Sequence, residues 1–201
     1  LYMGWALGSN DSANIFGTAV SSYMVKYRTA VILAAVFVFA GAFFGGRPGM
    51  ETLSGLTMQT GNTAFIISLA AAITVTFLGI LRLPASTSQA VIGAIMGIGI
   101  INRYVETGGL LKIFACWVTT PVGAALIAVF LYVVVSKILR KQALHFIIYD
   151  KLMRNLIILS GVYGAYSLGA NNVANVTGVF YQAGTLNMRG ALLLGGAGIA
   201  L

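Results

Sequence analysis

The sequence predicts an all-α polytopic membrane protein built from inverted-topology repeats with interrupted helices. Three observations predict this fold: the composition, the spacing of the apolar segments, and a phrase that occurs twice. Hydrophobic residues make up 59% of the 201-residue chain and charged residues only 8%, and the mean hydropathy is +0.93. Because soluble domains carry about 25% charged residues, most of this surface is expected to face lipid.

The repeated phrase follows the pattern Gly-x-Asn-x-x-Ala-Asn-x-x-Gly. It runs from Gly8 to Gly17 and returns from Gly169 to Gly178. Each copy sets carboxamides and glycines inside an apolar segment, which predicts a break in each helix. Interrupted apolar segments at corresponding places in two halves are typical of the midplane binding site of secondary transporters.

Apolar segments of roughly the 20 residues that span a bilayer follow one another along the chain. A polar stretch over 47–62 predicts a loop that is partly helical over 51–58. The predicted segments are 1–23 with a break near 10–14, 29–45, 63–81, 86–101, 110–135, 155–168, and a last one from about 190.

The fourth segment, 86–101, either crosses the membrane or turns back within it. If the segment crosses, eight basic loop residues lie on one side of the membrane and two on the other. If it turns back, four lie on one side and six on the other. The polarised arrangement favours crossing, with the richer side in the cytoplasm and the amino-terminal end outside. The eight residues are Lys26, Arg28, Arg82, Lys137, Arg140, Lys141, Lys151 and Arg154, and the two are Arg47 and Arg103.

The segments group into three regions. Residues 1–136 are predicted to form a first transmembrane repeat, 137–154 a basic cytoplasmic loop, and 155–201 the start of a second repeat. Five crossings separate the two phrases, so the second copy is expected to enter the membrane from the opposite face. Since the chain begins and ends inside apolar segments, most of the second repeat is expected to be missing.

Several function classes are excluded by composition. The net charge of +8 lies in short loops rather than along one face, so nucleic acid is not an expected partner. The single cysteine, Cys116, is predicted to be buried, and His145 to be a solvated loop residue. Trp5 is expected to pack or to lie at the interface. No span offers an acid–base pair, a triad or a metal cluster, so an enzyme is not expected.

The first phrase contains a candidate cation site. Asp11 is the one carboxylate in any predicted span, and an ionisable group at that depth is a functional hypothesis by default. Asn10 and Asn14 are four residues apart and share a helix face. Oxygen ligands of this kind suit sodium. The alternative roles for Asp11 are a proton carrier and a helix N-cap.

The second phrase is chemically unequal to the first. Asn172 stands where the first phrase has Asp11, while Asn171 and Asn175 correspond to its two asparagines. An amide oxygen can still bind a cation, but it carries neither charge nor proton.

The stretch from Pro84 to Gln89 predicts a helix start that can bind an anion. Ser86 and Gln89 match a capping box, which leaves Thr87 and Ser88 in a first turn with free backbone amides. A plain helix cap is the structural alternative. None of the three motifs contains Lys or Arg, so an anion would be held by neutral donors and helix ends, a more reversible arrangement than an arginine fork.

With these residues, the chain resembles the inorganic phosphate transporter (PiT) family. That family is marked by a Gly-x-Asn-Asp-x-Ala-Asn phrase in each half and a Pro-x-Ser-Thr motif after each. Gly8 to Asn14, Gly169 to Asn175 and Pro84 to Thr87 match these motifs, and Trp117 to Pro121 resembles another family segment. Asn172 departs from the second phrase of the family, which leaves the coupling stoichiometry open.

The resemblance implies a multi-pass carrier in the plasma membrane. It would move inorganic phosphate together with sodium or protons by alternating access, without a further cofactor, and a homodimer is left open. The phosphate site would include Ser86, Thr87, Ser88, Asn10 and Asn171. The coupling ion would meet Asp11, Asn14, Asn172 and Asn175, and sodium in particular would bind Asp11, Asn14 and Asn175. A carrier of another tetrahedral oxyanion such as sulfate, and a membrane protein that binds ions without transporting them, are the alternatives.

Overall fold

The computed structural model describes residues 1–54, 56, 58–103, 107–141 and 145–201. Within these ranges the secondary structure consists of helices joined by short turns. They are α1 (Tyr2–Ser21), α2 (Tyr27–Gly45), α3 (Arg47–Ser54), α4 (Gly61–Ile80), α5 (Thr87–Ile101), α6 (Thr107–Lys141), α7 (Phe146–Gln182) and α8 (Met188–Ala200).

Three of these helices, α2, α4 and α6, are long and apolar enough to cross a membrane, and α5 and α8 are shorter apolar helices. Their exposed surfaces are rich in large hydrophobic side chains such as Phe65, Phe130 and Tyr132. An apolar helix that exposes such residues on its outer surface fits lipid better than water. The all-helical membrane fold predicted from composition is therefore confirmed.

The predicted helix breaks are wrong. The first phrase lies inside α1, which is continuous from Tyr2 to Ser21, and the second lies inside α7, which is continuous from Phe146 to Gln182. The carboxamides do not need to disrupt the helix backbone, because their side chains bond to one another and to neighbouring helices. Polar groups satisfied in this way are tolerated within a buried helix.

The glycines of the phrases serve close helix crossings instead. A Cβ atom on Gly169 would overlap the carbonyl oxygen of Val38 in α2, and one on Gly8 would overlap the carbonyl oxygen of Ile199 in α8. Gly41 of α2 approaches the carbonyl oxygen of Tyr166 just as closely. Small residues of this kind let helix backbones approach one another in membrane proteins. The first glycine of each phrase therefore fixes the position of its helix in the bundle.

Helices α1 and α7 run in opposite directions. Phe16, late in α1, lies against Gly161, early in the apolar part of α7. The earlier Asp11 shares a cluster of polar side chains with the later Asn175 (below). The two copies of the phrase are thus antiparallel, as an inverted relation requires. The inverted symmetry of two complete repeats stays a prediction.

The turn between α4 and α5 reaches the middle of α1. The side-chain amide of Asn10, near the midpoint of α1, donates a hydrogen bond of 3.0 Å to the carbonyl oxygen of Ala85 in that turn. A helix of 20 residues is about 30 Å long, so the turn lies level with the centre of α1 and not with its end. The start of α5 therefore lies beside the middle of α1, and the crossing of the fourth segment stays a prediction.

The polar connections differ from the predicted loops. The helix expected over 51–58 begins earlier, at Arg47, because Pro48 suits a first helical turn and Arg47 pairs with Glu51 at 2.9 Å. Much of the loop predicted over 137–154 is helical, since α6 continues to Lys141 and α7 begins at Phe146. Residues 55, 57, 104–106 and 142–144 of the predicted loops lie outside the described residues.

Helix α6 accounts for a further correction. Cys116, predicted to be buried, is exposed. The reason is that the apolar window of α6 buries none of its residues within the described chain. A sequence pattern that is apolar all round does not tell a side chain covered by protein from one that faces lipid.

Candidate functional site

The carboxylate of Asp11 lies between α1 and the start of α5. Its Oδ1 accepts a hydrogen bond of 2.7 Å from the amide of Asn10, and its Oδ2 accepts one of 3.4 Å from the hydroxyl of Thr87. Thr87 is buried, with 4% of its surface exposed. The same Asn10 amide also donates to the carbonyl oxygen of Ala85, so it bonds to Asp11 within α1 and links α1 to the turn before α5.

The second phrase meets the same helix start from the other side. The amide of Asn175, on α7, donates hydrogen bonds of 2.9 Å to the hydroxyl of Ser88 and to the side-chain oxygen of Asn172. The amide of Asn172 donates in turn to the carbonyl oxygen of Leu168 at 3.1 Å. Asn175 is 7% exposed, so these bonds lie where water competes little and where they contribute most to specificity.

These contacts define one site, which we call the polar junction. It joins parts of the chain that lie far apart in sequence: the first phrase, the first turn of α5 and the second phrase. Its members are Asn10, Asp11, Thr87, Ser88, Asn172 and Asn175.

The remaining predicted site residues stand apart from the junction. Ser86 caps α5, since its hydroxyl accepts a hydrogen bond of 3.3 Å from the backbone amide of Gln89, which is the serine half of the predicted capping box. Asn14 and Asn171 are exposed, and the hydrogen bonds between described side chains link neither of them to the junction. Their predicted roles stay predictions.

The start of α5 gives the junction its electrostatic character. Helix α5 begins at Thr87 directly after its cap, so the first-turn amides and the positive end of the helix dipole lie beside Asp11 and Asn175. A carboxylate and a helix start in one site can hold a cation and an anion together. Lys and Arg are absent from the junction itself, as the motifs predicted.

Two cavities flank α1. One, of about 540 Å³, is mostly apolar and is lined by Gly8, Ser12 and Gly17 of the first phrase. The other, of about 590 Å³, opens between α1 and the end of α4 and is lined by Asn10, Arg82 and Pro84 among others. The second cavity adjoins the polar junction through Asn10, which belongs to both.

Sequence analysis missed three features of this region. The backbone carbonyl of Ala85 anchors Asn10, and no side-chain pattern announces a backbone acceptor. Trp5, predicted to be a packing or interfacial residue, lines both cavities. The basic side chain of Arg82 was interpreted only as an indicator of membrane topology. Its position two residues before Pro84, where the predicted anion motif begins, could have indicated a role near that motif.

The fold and the junction define an integral membrane protein in which polar side chains of three helices meet. The sequence profile of the phosphate transporter family matches residues 7–201. The chain belongs to the phosphate transporter family, which is a family of transporters and not of enzymes, and its apolar helices make it an integral membrane protein.

Two curated relatives illustrate the similarity. The sulfate permease CysP of Bacillus subtilis is 34% identical over 208 aligned residues, which cover 100% of this chain and 58% of that protein. A Pyrococcus furiosus protein named for a phosphate permease is 33% identical over 67% of this chain and 36% of its own length. The chain thus spans less than two thirds of the relatives it matches.

A solved structure shares the fold. The sodium-dependent phosphate transporter superposes with a TM-score of 0.76 at 22% identity, covering 100% of this chain and 72% of that one. At 22% identity the similarity supports the helical architecture alone. It does not identify the substrate or the coupling ion of this protein.

Proposed function

We propose that the protein is a cation-coupled symporter of inorganic phosphate that works by alternating access. The observation that carries the proposal is the polar junction, in which the Asp11 carboxylate, the start of α5 and Asn175 are linked by hydrogen bonds. A cation beside a carboxylate and an anion beside a helix start would stabilise each other, because each offsets the charge of the other.

The anion would bind at the start of α5. The hydroxyls of Ser86, Thr87 and Ser88 and the first-turn amides are neutral donors suited to phosphate oxygens. The side-chain amides of Asn10 and Asn171 would add donors from the two phrases. Asn10 and Thr87 donate to Ala85 and Asp11 in this structure and would redirect these bonds to the anion when it binds. Neutral donors bind an oxyanion less tightly than an arginine fork. Weaker binding favours a carrier, which has to release its cargo on the far side.

The coupling cation would bind at Asp11. The hydrogen bonds of the Asn175 side chain to described residues use its amide nitrogen, so its side-chain oxygen remains for a cation ligated by carboxylate and amide groups. Asn14, Asn172 and Asn175 complete the proposed ligands. Sodium is preferred over a proton, since hard cations take oxygen ligands and the similar solved structure is of a sodium-dependent transporter.

Movement would come from the two halves. Repeats of opposite orientation that meet at one site can rock against each other, and the site then opens to either face in turn. We propose residues 1–136 as one repeat and 155–201 as the start of the other, joined by the basic region 137–154 on the cytoplasmic side. A homodimer of such units stays open to measurement.

The test is uptake of labelled phosphate by the full-length protein in liposomes under an imposed sodium or proton gradient. Asp11→Asn should abolish gradient-driven accumulation, with a loss of at least about tenfold, or ~1.4 kcal/mol. Asp150→Asn is the matched control, because Asp150 is an exposed carboxylate at the start of α7. Accumulation by Asp11→Asn at the wild-type rate would remove Asp11 from the coupling mechanism.

Sulfate is the second candidate substrate. A relative that aligns with the whole chain is a sulfate permease, and the neutral donors at the start of α5 would accept either tetrahedral oxyanion. Sulfate carries no proton near pH 7, whereas hydrogen phosphate has a hydroxyl that can donate to a carboxylate. Competition of unlabelled sulfate and phosphate against each labelled anion separates these candidates.

A further inference from the structure

The cavity of about 590 Å³ between α1 and the end of α4 carries one charged side chain among its described lining residues. That residue is Arg82. The other polar lining residues, Ser9, Asn10 and Thr76, are neutral, and the rest of the wall is apolar. The cavity ends at Asn10, which is a member of the polar junction, so a small ion in it would lie next to the proposed transport site.

The backbone holds Arg82 firmly at this position. Its φ is +56°, in the left-handed region. Its amide donates to the carbonyl oxygen of Gly79 at 3.0 Å, and the amide of Leu83 donates to that of Leu78 at 2.9 Å. Such a conformation is uncommon for a residue with a side chain. The backbone of this turn is therefore held in one conformation, which fixes the position of the Arg82 Cα atom. Among the described residues, Arg82 forms no ion pair.

Arg82 is an exposed residue of the turn that meets α1 at its midpoint through Ala85 and Asn10. The described lining residues of the cavity supply no anion to pair with its guanidinium. A negatively charged ligand that enters the cavity would therefore meet one cation with no ion pair among the described residues.

We propose that Arg82 receives the transported tetrahedral oxyanion in this cavity before the anion passes to the start of α5. The assignment rests on the proposed function and adds a second anion position to it. A guanidinium pairs with two oxygens of a phosphate or sulfate and raises the local concentration of anions. Two separate anion positions explain how a junction without Lys or Arg can still receive a dianion. Arg82 would attract the anion into the cavity, and the start of α5 would bind it reversibly.

The first experiment measures transport by the full-length protein in liposomes. Arg82→Gln should raise the KM for the anion about five- to tenfold at low ionic strength, with little change in kcat, and the difference should shrink below about twofold near 0.5 M salt. Arg82→Lys should recover most of the affinity. An unchanged KM in Arg82→Gln at low ionic strength overturns the proposal.

Arg103→Gln is the matched control. Arg103 is exposed, has a φ of +55°, and follows the end of α5 just as Arg82 follows the end of α4. It does not line the cavity. Both variants carry the same backbone strain and lose the same charge, so an equal rise of KM in both would indicate a general charge effect and overturn the proposal.

The second experiment detects binding without transport. The chain has two tryptophans, Trp5 and Trp117, and Trp5 lines the cavity with Arg82. In a full-length background in which Trp117 and any tryptophan outside these 201 residues are replaced by phenylalanine, phosphate or sulfate should change Trp5 fluorescence saturably, and Arg82→Gln should abolish that change. If the change persists without Arg82, the proposal fails. If anion binding at Trp5 requires Arg82 but no variant accumulates anion under a gradient, the proposed function fails and the anion site remains.

The phosphate of a lipid headgroup is the other source of the same chemistry. The fluorescence titration is therefore repeated in nanodiscs of phosphatidylcholine alone and with phosphatidylglycerol added. A free oxyanion as ligand predicts a signal in both, weakened by competition in the second. A signal that appears with phosphatidylglycerol and does not respond to free phosphate or sulfate would identify the headgroup as ligand and overturn the proposal.

Discussion

The amide of Asn175 donates a hydrogen bond of 2.9 Å to the hydroxyl of Ser88, 87 positions earlier in the chain. This bond connects the second phrase directly to the first turn of α5. Because Thr87, the neighbour of Ser88, bonds to Asp11 in the first phrase, one helix start bridges both copies. Movement of α7 relative to α1 would therefore be felt at the proposed anion site.

The Asn175–Ser88 bond should be measurable as a coupling energy. Asn175→Ala and Ser88→Ala should each reduce the free energy of unfolding by about 1–2 kcal/mol, since Asn175 is buried and loses its acceptors. The double variant should cost less than the sum by about 0.5–1.5 kcal/mol. Thermal unfolding of the four proteins in detergent completes the double-mutant cycle, with Ser21→Ala as the exposed control. Strict additivity would show that the bond does not form.

Asn10→Asp should make stability depend on cations. The substitution replaces the donor that faces Asp11 Oδ1 at 2.7 Å with a second carboxylate, and two carboxylates this close cannot both stay ionised without a counter-charge. The melting temperature should fall by several degrees, about 4–8 °C per kcal/mol in small domains, in choline chloride at neutral pH. Sodium or a lower pH should restore it.

The control for that variant is Asn155→Asp, which adds a carboxylate at an exposed position of α7. Its melting temperature should not respond to sodium. A sodium response of equal size in both variants would indicate a general salt effect and would argue against a cation site at Asp11.

Asn172→Asp should strengthen cation dependence in the second phrase. The side-chain oxygen would still accept from Asn175, while a new negative charge enters the junction. Half-saturation of uptake by the coupling cation should fall about tenfold, or ~1.4 kcal/mol, and the dependence should become steeper if a second cation binds. Initial rates of uptake at graded sodium concentrations test this. A weaker cation dependence would contradict the proposed ligand role of Asn172.

Gly41→Ala should disrupt the packing of α2 on α7. The added methyl group would overlap the carbonyl oxygen of Tyr166, which belongs to a helix backbone and cannot rotate away. We expect a loss of about 3 kcal/mol or more, at the upper end for overpacked cores. Gly93→Ala is the control: the space around Gly93 is open, so alanine should be neutral or stabilising by up to about 1 kcal/mol. Fluorescence-detected size exclusion after heating compares the two.

The sequence predicted helix caps and apolar helices well, because these features depend only on neighbouring residues. The capping serine at Ser86 and the apolar run of α4 both appear as expected, because caps and apolar windows are local. The breaks in α1 and α7 were wrong because asparagine favours a break only when its side chain lacks a partner, and here Asn10 and Asn175 find partners on other helices.

The sequence by itself determined that the chain resides in lipid, that it carries two related phrases, and that Asp11 is the carboxylate within its apolar segments. All three follow from composition and residue type, which do not depend on the path of the chain. Only the tertiary structure decided that Thr87 reaches Asp11, that Asn14 and Asn171 face outward, and that Arg82 shares a cavity with Asn10. These relations depend on how helices cross, and the crossings are determined by backbone contacts at Gly8, Gly41 and Gly169 between residues far apart in the chain.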